Sequence, residues 1–276
     1  MQGTNDRTEL LRSAPVKGAL LRLGMPTLVG MSVSALYNVV DAFFVGQLGG
    51  SQMAAVALFA PIATAMLGLA LLFGGGAASY ISRLLGAGRK AEADACASTS
   101  LATSMAVAIA LLVAFVALME PFLRLLGATD TMMPYAAAYA APFFVSMAFY
   151  AFNGTINNLI VSEGATTVSM GAMLLGGIAN IVLDPVMIFT LGWGVTGAAV
   201  ATLAGTLLTT CVYLSYFARG KSSLALSPKN LRPTKEMYAQ VLKIGVPNLT
   251  YQLLVSVALW LTAMRPWRPS ASSHAS

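Results

Sequence analysis

Charge is what this sequence most lacks. Only 9% of its 276 residues are Asp, Glu, Lys or Arg, while 57% are hydrophobic. A soluble domain carries about 25% charged residues. A large water-soluble core is therefore excluded, and a chain that crosses a membrane several times is implied. Cysteine is nearly absent too. Cys96 and Cys211 lie far apart and form no CxxC pair, which excludes a disulfide framework and a thiolate metal cluster. Each reads as a small buried hydrophobe. The one histidine, His274, lies in the terminal tail and takes no role. The balance is basic, formally +6, yet the cations fall in the gaps between apolar runs. That excludes nucleic acid as a partner and points to the bilayer.

What is present is long apolar runs. Windows of about 20 apolar residues fall at roughly 18–46, 53–82, 95–119, 134–160, 168–190 and 196–217, and a further one closes near 262. They predict an all-α, polytopic transmembrane bundle. Six helices lie within 18–217, a basic linker spans 218–243, and part of a seventh helix covers 244–262. Residues 1–17 read as a polar cytoplasmic tail. They are not a cleavable signal peptide, because the run that follows is too long for an h-region. From 263 the sequence AMRPWRPSASSHAS has no apolar pattern. It reads as an aberrant end, from truncation or a shifted frame, or as a disordered tail.

Lysine and arginine set the expected orientation. Arg7, Arg12, Lys17 and Arg22 precede or open the first span, and Arg83, Arg89 and Lys90 lie between the second and third. Arg219, Lys221, Lys229, Arg232, Lys235 and Lys243 fill the linker. The opposite side has only Arg124. The N-terminus is therefore expected in the cytoplasm, with spans 1, 3 and 5 running outward. A weak repeat is also visible. LGMPTLVGMSVSAL at 23–36 resembles IGVPNLTYQLLVSV at 244–257, with Pro26 aligned to Pro247. Transporters are often built from two related bundles.

Of ten acids, two fall inside expected spans, Asp41 in the first and Asp184 in the fifth. Both spans run outward and end a few residues later, so both carboxylates sit at one depth, in the outer third. A carboxylate in a membrane is costly and marks function. Helical spacing puts Tyr37 and Asn38 on the face of Asp41, and Asn180 on the face of Asp184. Thr202, two turns into the sixth span, reaches a similar depth. Two carboxylates, two amides, a phenol and a hydroxyl make an oxygen-rich cage suited to a hard cation. Close carboxylates also repel, so the pair can hold either H⁺ or Na⁺. A lone membrane Asn38 or Thr202 is commonly interhelical glue, whereas two unpaired carboxylates are too costly for that. Asn153 and Asn157, four apart on the fourth span, read as lining a cavity. Tyr139, near its outer end, reads as an interface anchor. Pro26 interrupts the first span and frees the carbonyl of Arg22, a place for a static kink or a bend below Asp41.

The stretches PTLVGMSVSALYNVVDAFFVGQLG, NIVLDPVMIF at 180–189 and LGWGVTGAAVATLAG at 191–205 resemble the multidrug and toxic compound extrusion (MATE) family. They are most similar to its prokaryotic branch with aspartates in helices 1 and 5, and the likeness covers about 10–262. The resemblance implies no enzyme and no cofactor. It implies an antiporter of the prokaryotic plasma membrane that exports organic cations and drugs as H⁺ or Na⁺ enters, by alternating access between two six-helix lobes in a monomer. It carries the coupling cation to Asp41, Asn180, Asp184 and Thr202, and the substrate cavity to the surroundings of Tyr37, Tyr139 and Asn157. It makes Pro26 a helix-1 hinge. The departure is length, since only the first lobe and part of helix 7 are present. The alternatives are a non-transporting lobe that only binds the cation, and a lipid-precursor flippase of the same superfamily. A flippase would want a basic cavity for phosphates, and this one is acidic. An intramembrane aspartyl protease would need a GxGD element, which YNVVD and IVLD do not supply.

Overall fold

The computed structural model describes residues 16–263, with side chains described for 24–262. The tail expected up to 17 and the aberrant end expected from 263, with His274, lie outside the described residues apart from helical residues 16, 17 and 263. Among the described residues there is no strand. Seven helical stretches among the described residues are long and apolar enough to cross a membrane, and the fold is an all-α multi-pass bundle.

The first span is one helix, α1 (Val16–Gly46), and it runs through Pro26 without a break in the helical assignment. The second apolar run is not one helix. Gly49, with φ of 131°, leads into α2 (Gly50–Ala57). A short break precedes α3 (Ala60–Ala70), with Pro61 in the first turn, where its missing N–H costs nothing. A π-helical turn at Leu71–Gly75 follows, then α4 (Gly76–Gly86). The widened turn coincides with Gly74-Gly75-Gly76. A Cβ on Gly74 would sit 2.7 Å from Thr155 Cα, and one on Gly76 would strike the carbonyl of Val241. Glycine here lets two helices press on the backbone from different sides.

The third span is α5 (Lys90–Ala117). An amphipathic helix, α6 (Met119–Leu126), was not foreseen. It buries Leu123 and Leu126 and ends on Gly127 with φ of 103°. Next come α7 (Met133–Ser162), then α8 (Thr166–Pro185) with a second π-helical turn at Val186–Thr190, and α9 (Gly194–Ala218). The second π turn starts where Pro185 withholds a backbone donor.

The linker departs from expectation. It contains a 3-10 turn (Pro228–Asn230), and the last helix, α10 (Lys235–Ala263), begins nine residues before the expected 244. Thr234 caps it, accepting from the N–H of Met237 at 3.2 Å. Its polar first turns hid the start from a hydropathy window. Pro26 and Pro247, aligned in the internal repeat, both lie inside long helices.

Packing runs in one sequence: α1 on α8, α8 on α9, α9 on α7, α7 on α5, and α10 on α3, the first π turn and α4. The core is aromatic. The ring of Phe59 lies 4.9 Å from those of Tyr139 and Phe143, and Phe115 stacks on Phe144 at 5.2 Å. Large apolar side chains such as Leu28, Val39, Val113 and Leu254 face outward, as a helix bundle in lipid requires. Cys96 is buried, but Cys211 is exposed on α9, contrary to the expected core role.

Candidate functional site

Asp184 is fully buried, at 0% exposure, and Asn180 one turn earlier is at 3%. The Asn180 amide reaches both neighbours in either orientation. Its Nδ2 lies 3.5 Å from Asp184 Oδ1 and 3.4 Å from Thr202 Oγ1. Turned over, its nitrogen donates to Asp184 Oδ2 at 3.3 Å and its oxygen accepts from the Thr202 N–H at 3.3 Å. One amide therefore ties α8 to α9 beside the carboxyl.

Asp41 reaches this cluster from α1. Its carboxyl is in side-chain hydrogen-bonding contact with Asp184. Ionised carboxylates only accept, so the contact needs a proton or a cation between them. Asp41 Oδ1 is enclosed and accepts from no donor. A buried acceptor left unmade costs about 1–3 kcal/mol, so the arrangement suits a bound cation that satisfies it. Asp41, Asp184, Asn180 and Thr202 offer only oxygen donors besides the amide nitrogen, as a hard ion requires. Among the described residues no group of three or more His, Cys, Asp or Glu could hold a metal ion.

The expected cavity residues fare differently. Tyr37 is half-buried, and Asn38 is exposed and donates to its own helix at Ser34 O, 2.7 Å. Tyr139 is not an interface anchor. It is 5% exposed, packed on Phe59 and Phe143, and close enough to Asp41 and Asp184 to feel their charge. Asn153 sits between two helices. It is buried, with Nδ2 donating to Thr206 O at 2.9 Å and Oδ1 accepting from Thr210 Oγ1 at 2.9 Å. It ties α7 to α9, the glue role common for membrane asparagines. Asn157 is half-buried. Its Oδ1 accepts from Tyr213 OH at 3.0 Å and also from Ser169 Oγ, which fixes its orientation. Sequence reasoning missed Tyr213 and Ser169, which both donate to Asn157 Oδ1. A lone tyrosine or serine in an apolar run carries no local signal for that.

Residues 26–186 match the sequence profile of MatE. The chain belongs to the MatE family. The match takes in Pro26, Asp41, Asn180 and Asp184 and stops short of Thr202. This MatE chain is 30% identical over 247 residues to a multidrug export protein MepA of Staphylococcus saprophyticus, covering 89% of this chain and 54% of the relative. It is 34% identical to a multidrug resistance MATE family transporter of the MOP superfamily solved in an outward-facing conformation. That likeness has a TM-score of 0.85 and covers 92% of this chain and 56% of the other. An inward-facing conformation of such a transporter gives a TM-score of 0.78 at 34% identity, covering 88% of this chain and 55% of the other. The chain spans about half the length of the relatives it matches.

Proposed function

We propose that this chain forms the cation-coupling half of a multidrug antiporter, a transporter rather than an enzyme. H⁺ or Na⁺ binds between Asp41 and Asp184, with Asn180 and Thr202 completing the site, and its movement inward drives export of organic cations or drugs. The two lobes of a full transporter would alternate access, with residues 18–217 as the first lobe, 218–234 as its linker and α10 opening the second. Tyr37, Asn38, Tyr139 and Asn157 would border the substrate cavity, and Pro26 would let α1 bend and move Asp41 toward or away from Asp184. On this reading the N-terminus lies in the cytoplasm, an orientation the basic loops support, and the membrane is a prokaryotic plasma membrane.

One observation carries the reading: two carboxyls from different helices meet inside the bundle, with an oxygen of Asp41 enclosed and unpartnered. Support for the drug substrates comes from the relatives described as multidrug exporters. The acidic cluster argues against a flippase for phosphate-bearing lipids. The test is calorimetry on the purified chain with Na⁺ and, separately, with acid. Asp41→Asn keeps the shape and removes one carboxylate, so cation affinity should fall about ten-fold or more, equivalent to about 1.4 kcal/mol. Unchanged uptake of both Na⁺ and protons in that variant would sink the reading.

A further inference from the structure

Asp184, Asn180 and Thr202 belong to two helices that touch through their backbones on both sides of the cluster. Below it, Gly176 on α8 faces Gly205 on α9. A Cβ on Gly205 would lie 2.8 Å from Gly176 O, and one on Gly176 would lie 2.9 Å from Gly205 O and strike the hydroxyl of Thr209. Above it, a Cβ on Gly197 would lie 2.7 Å from both the carbonyl carbon and oxygen of Met187. Gly176 is one turn from Asn180, and Gly205 is three residues from Thr202, so the first crossing sets how near these two side chains come. Gly197 faces Met187, three residues after Asp184, so the second crossing sets the spacing of α9 from the Asp184 end of α8.

The α1 side is built differently. A Cβ on Gly177 would meet only side chains, Val33 Cγ1 at 3.1 Å and Tyr37 Cδ1 at 3.4 Å. Side chains yield by rotation, whereas two backbones in contact do not. Further from the cluster, a Cβ on Gly30 of α1 would lie 3.0 Å from Met173 Sδ and 3.6 Å from Met170 Cα, an ordinary contact, so the α8–α9 half of the site is fixed by the tighter backbone crossings and the Asp41 half is packed less closely.

We infer that Gly176, Gly205 and Gly197 are positioning residues that hold the Asp184–Asn180–Thr202 half of the cation site at fixed spacing. This rests on the cation site proposed above. None of the three touches the cation. They act through the distance between α8 and α9: Asn180 and Asp184 share α8, so a methyl on any of them moves Thr202 away from the Asn180 amide, and the amide, no longer held from α9, loses its fixed orientation toward the Asp184 carboxyl.

The test is infrared spectroscopy of the purified chain at one acid pH at which the carboxyls are protonated. The carbonyl band lost in Asp184→Asn reports the hydrogen bonding of that group. We expect it to move toward the position of a free carboxyl in Gly205→Ala and in Gly197→Ala, both folded by circular dichroism. It should stay in place in Gly171→Ala, where an added methyl meets nothing within 4 Å. If Gly205→Ala does not fold, Gly197→Ala at the other crossing decides. A band unmoved in the folded variants, or moved equally by Gly171→Ala, overturns the inference and leaves the proposed function standing. A band that moves as expected, in a chain whose cation binding is indifferent to Asp41→Asn, keeps the positioning role and removes the proposed function.

Discussion

The hydroxyl of Tyr216 donates to Oε1 of Glu163 at 2.6 Å, and the other oxygen of that carboxyl accepts from Ser222 Oγ at 2.9 Å and from the Ser223 N–H at 2.6 Å. Glu163 follows the last residue of α7, outside the membrane span, yet it is only 3% exposed. Burial pushes its carboxyl above the ordinary 4.5, and the donors only partly pull it back. A value raised by folding means that folding favours the neutral form. Its contribution is fully present below about 4.5 and is lost as pH rises through the raised value. The melting temperature of the parent, taken relative to Glu163→Gln, should therefore fall as pH is raised from about 4.5. Parallel curves would remove the effect. Glu163→Ala, which strands the donors, should cost about 1–3 kcal/mol.

The same segment is stitched to α5. Ala225 donates its N–H to Asp94 Oδ1 at 2.8 Å, Ser227 to Ser98 Oγ at 3.3 Å, and Arg232 to Thr99 Oγ1 at 3.1 Å. Asp94, Ser98 and Thr99 are buried. The linker is thus fastened along the bundle, although Lys221 and Lys229 remain exposed. Losing a hydrogen bond to a charged acceptor costs about 1.5–3 kcal/mol, so Asp94→Ala should raise local opening about ten-fold or more. Trypsin cleavage after Lys221 and Lys229 in the folded protein should accelerate accordingly. A rate equal to the parent's would mean that the Asp94 tie does not hold the linker down.

Most spans could be read from the sequence because a run of about 20 apolar residues suits the bilayer and little else. That Asp41 and Asp184 come together could be anticipated too, since each lies a few residues from the end of a span that runs the same way. What the windows could not give depends on partners distant in the chain. The start of α10 at Lys235 is polar. The π turn at Leu71–Gly75 lies where other helices press in, Thr155 against Gly74 and Val241 against Gly76 just after it. Glu163 looked like a loop acid because its burial requires residues 216–223 to fold back over it. Asn153 and Asn157 share a face by spacing alone, yet one ties α7 to α9 while the other keeps a half-open position. Only the register of α9 against α7 separates them.

Gly245 offers a test of how tightly α10 is seated. A Cβ there would run into the carbonyl of Leu72, with Leu72 Cα at 3.0 Å, and the same seam is tied further along by Ser256 Oγ donating to Pro61 O at 2.7 Å. Gly245→Ala should destabilise the chain by about 1–3 kcal/mol through overpacking. Gly86→Ala, where nothing lies within 4 Å of an added Cβ, should be neutral or stabilising by up to about 1 kcal/mol. Thermal denaturation in detergent reads both. Equal effects would show that α10 yields without cost.

The two sides of the proposed cation site should contribute unequally, and the inequality can be measured. Asp184 is a carboxylate with 0% exposure, while Thr202 is half-buried and offers a neutral hydroxyl to the same Asn180 amide. Removing a buried charged ligand is far costlier than removing a hydroxyl, whose net hydrogen bond is worth about 1 kcal/mol. Asp184→Asn should therefore weaken cation binding about ten-fold or more, and Thr202→Val only about five-fold. If Thr202→Val costs as much as Asp184→Asn, the ion sits against α9 instead of between the two carboxyls. If Asp184→Asn binds as the parent does, Asp184 is not a ligand, and its contact with Asp41 serves packing alone.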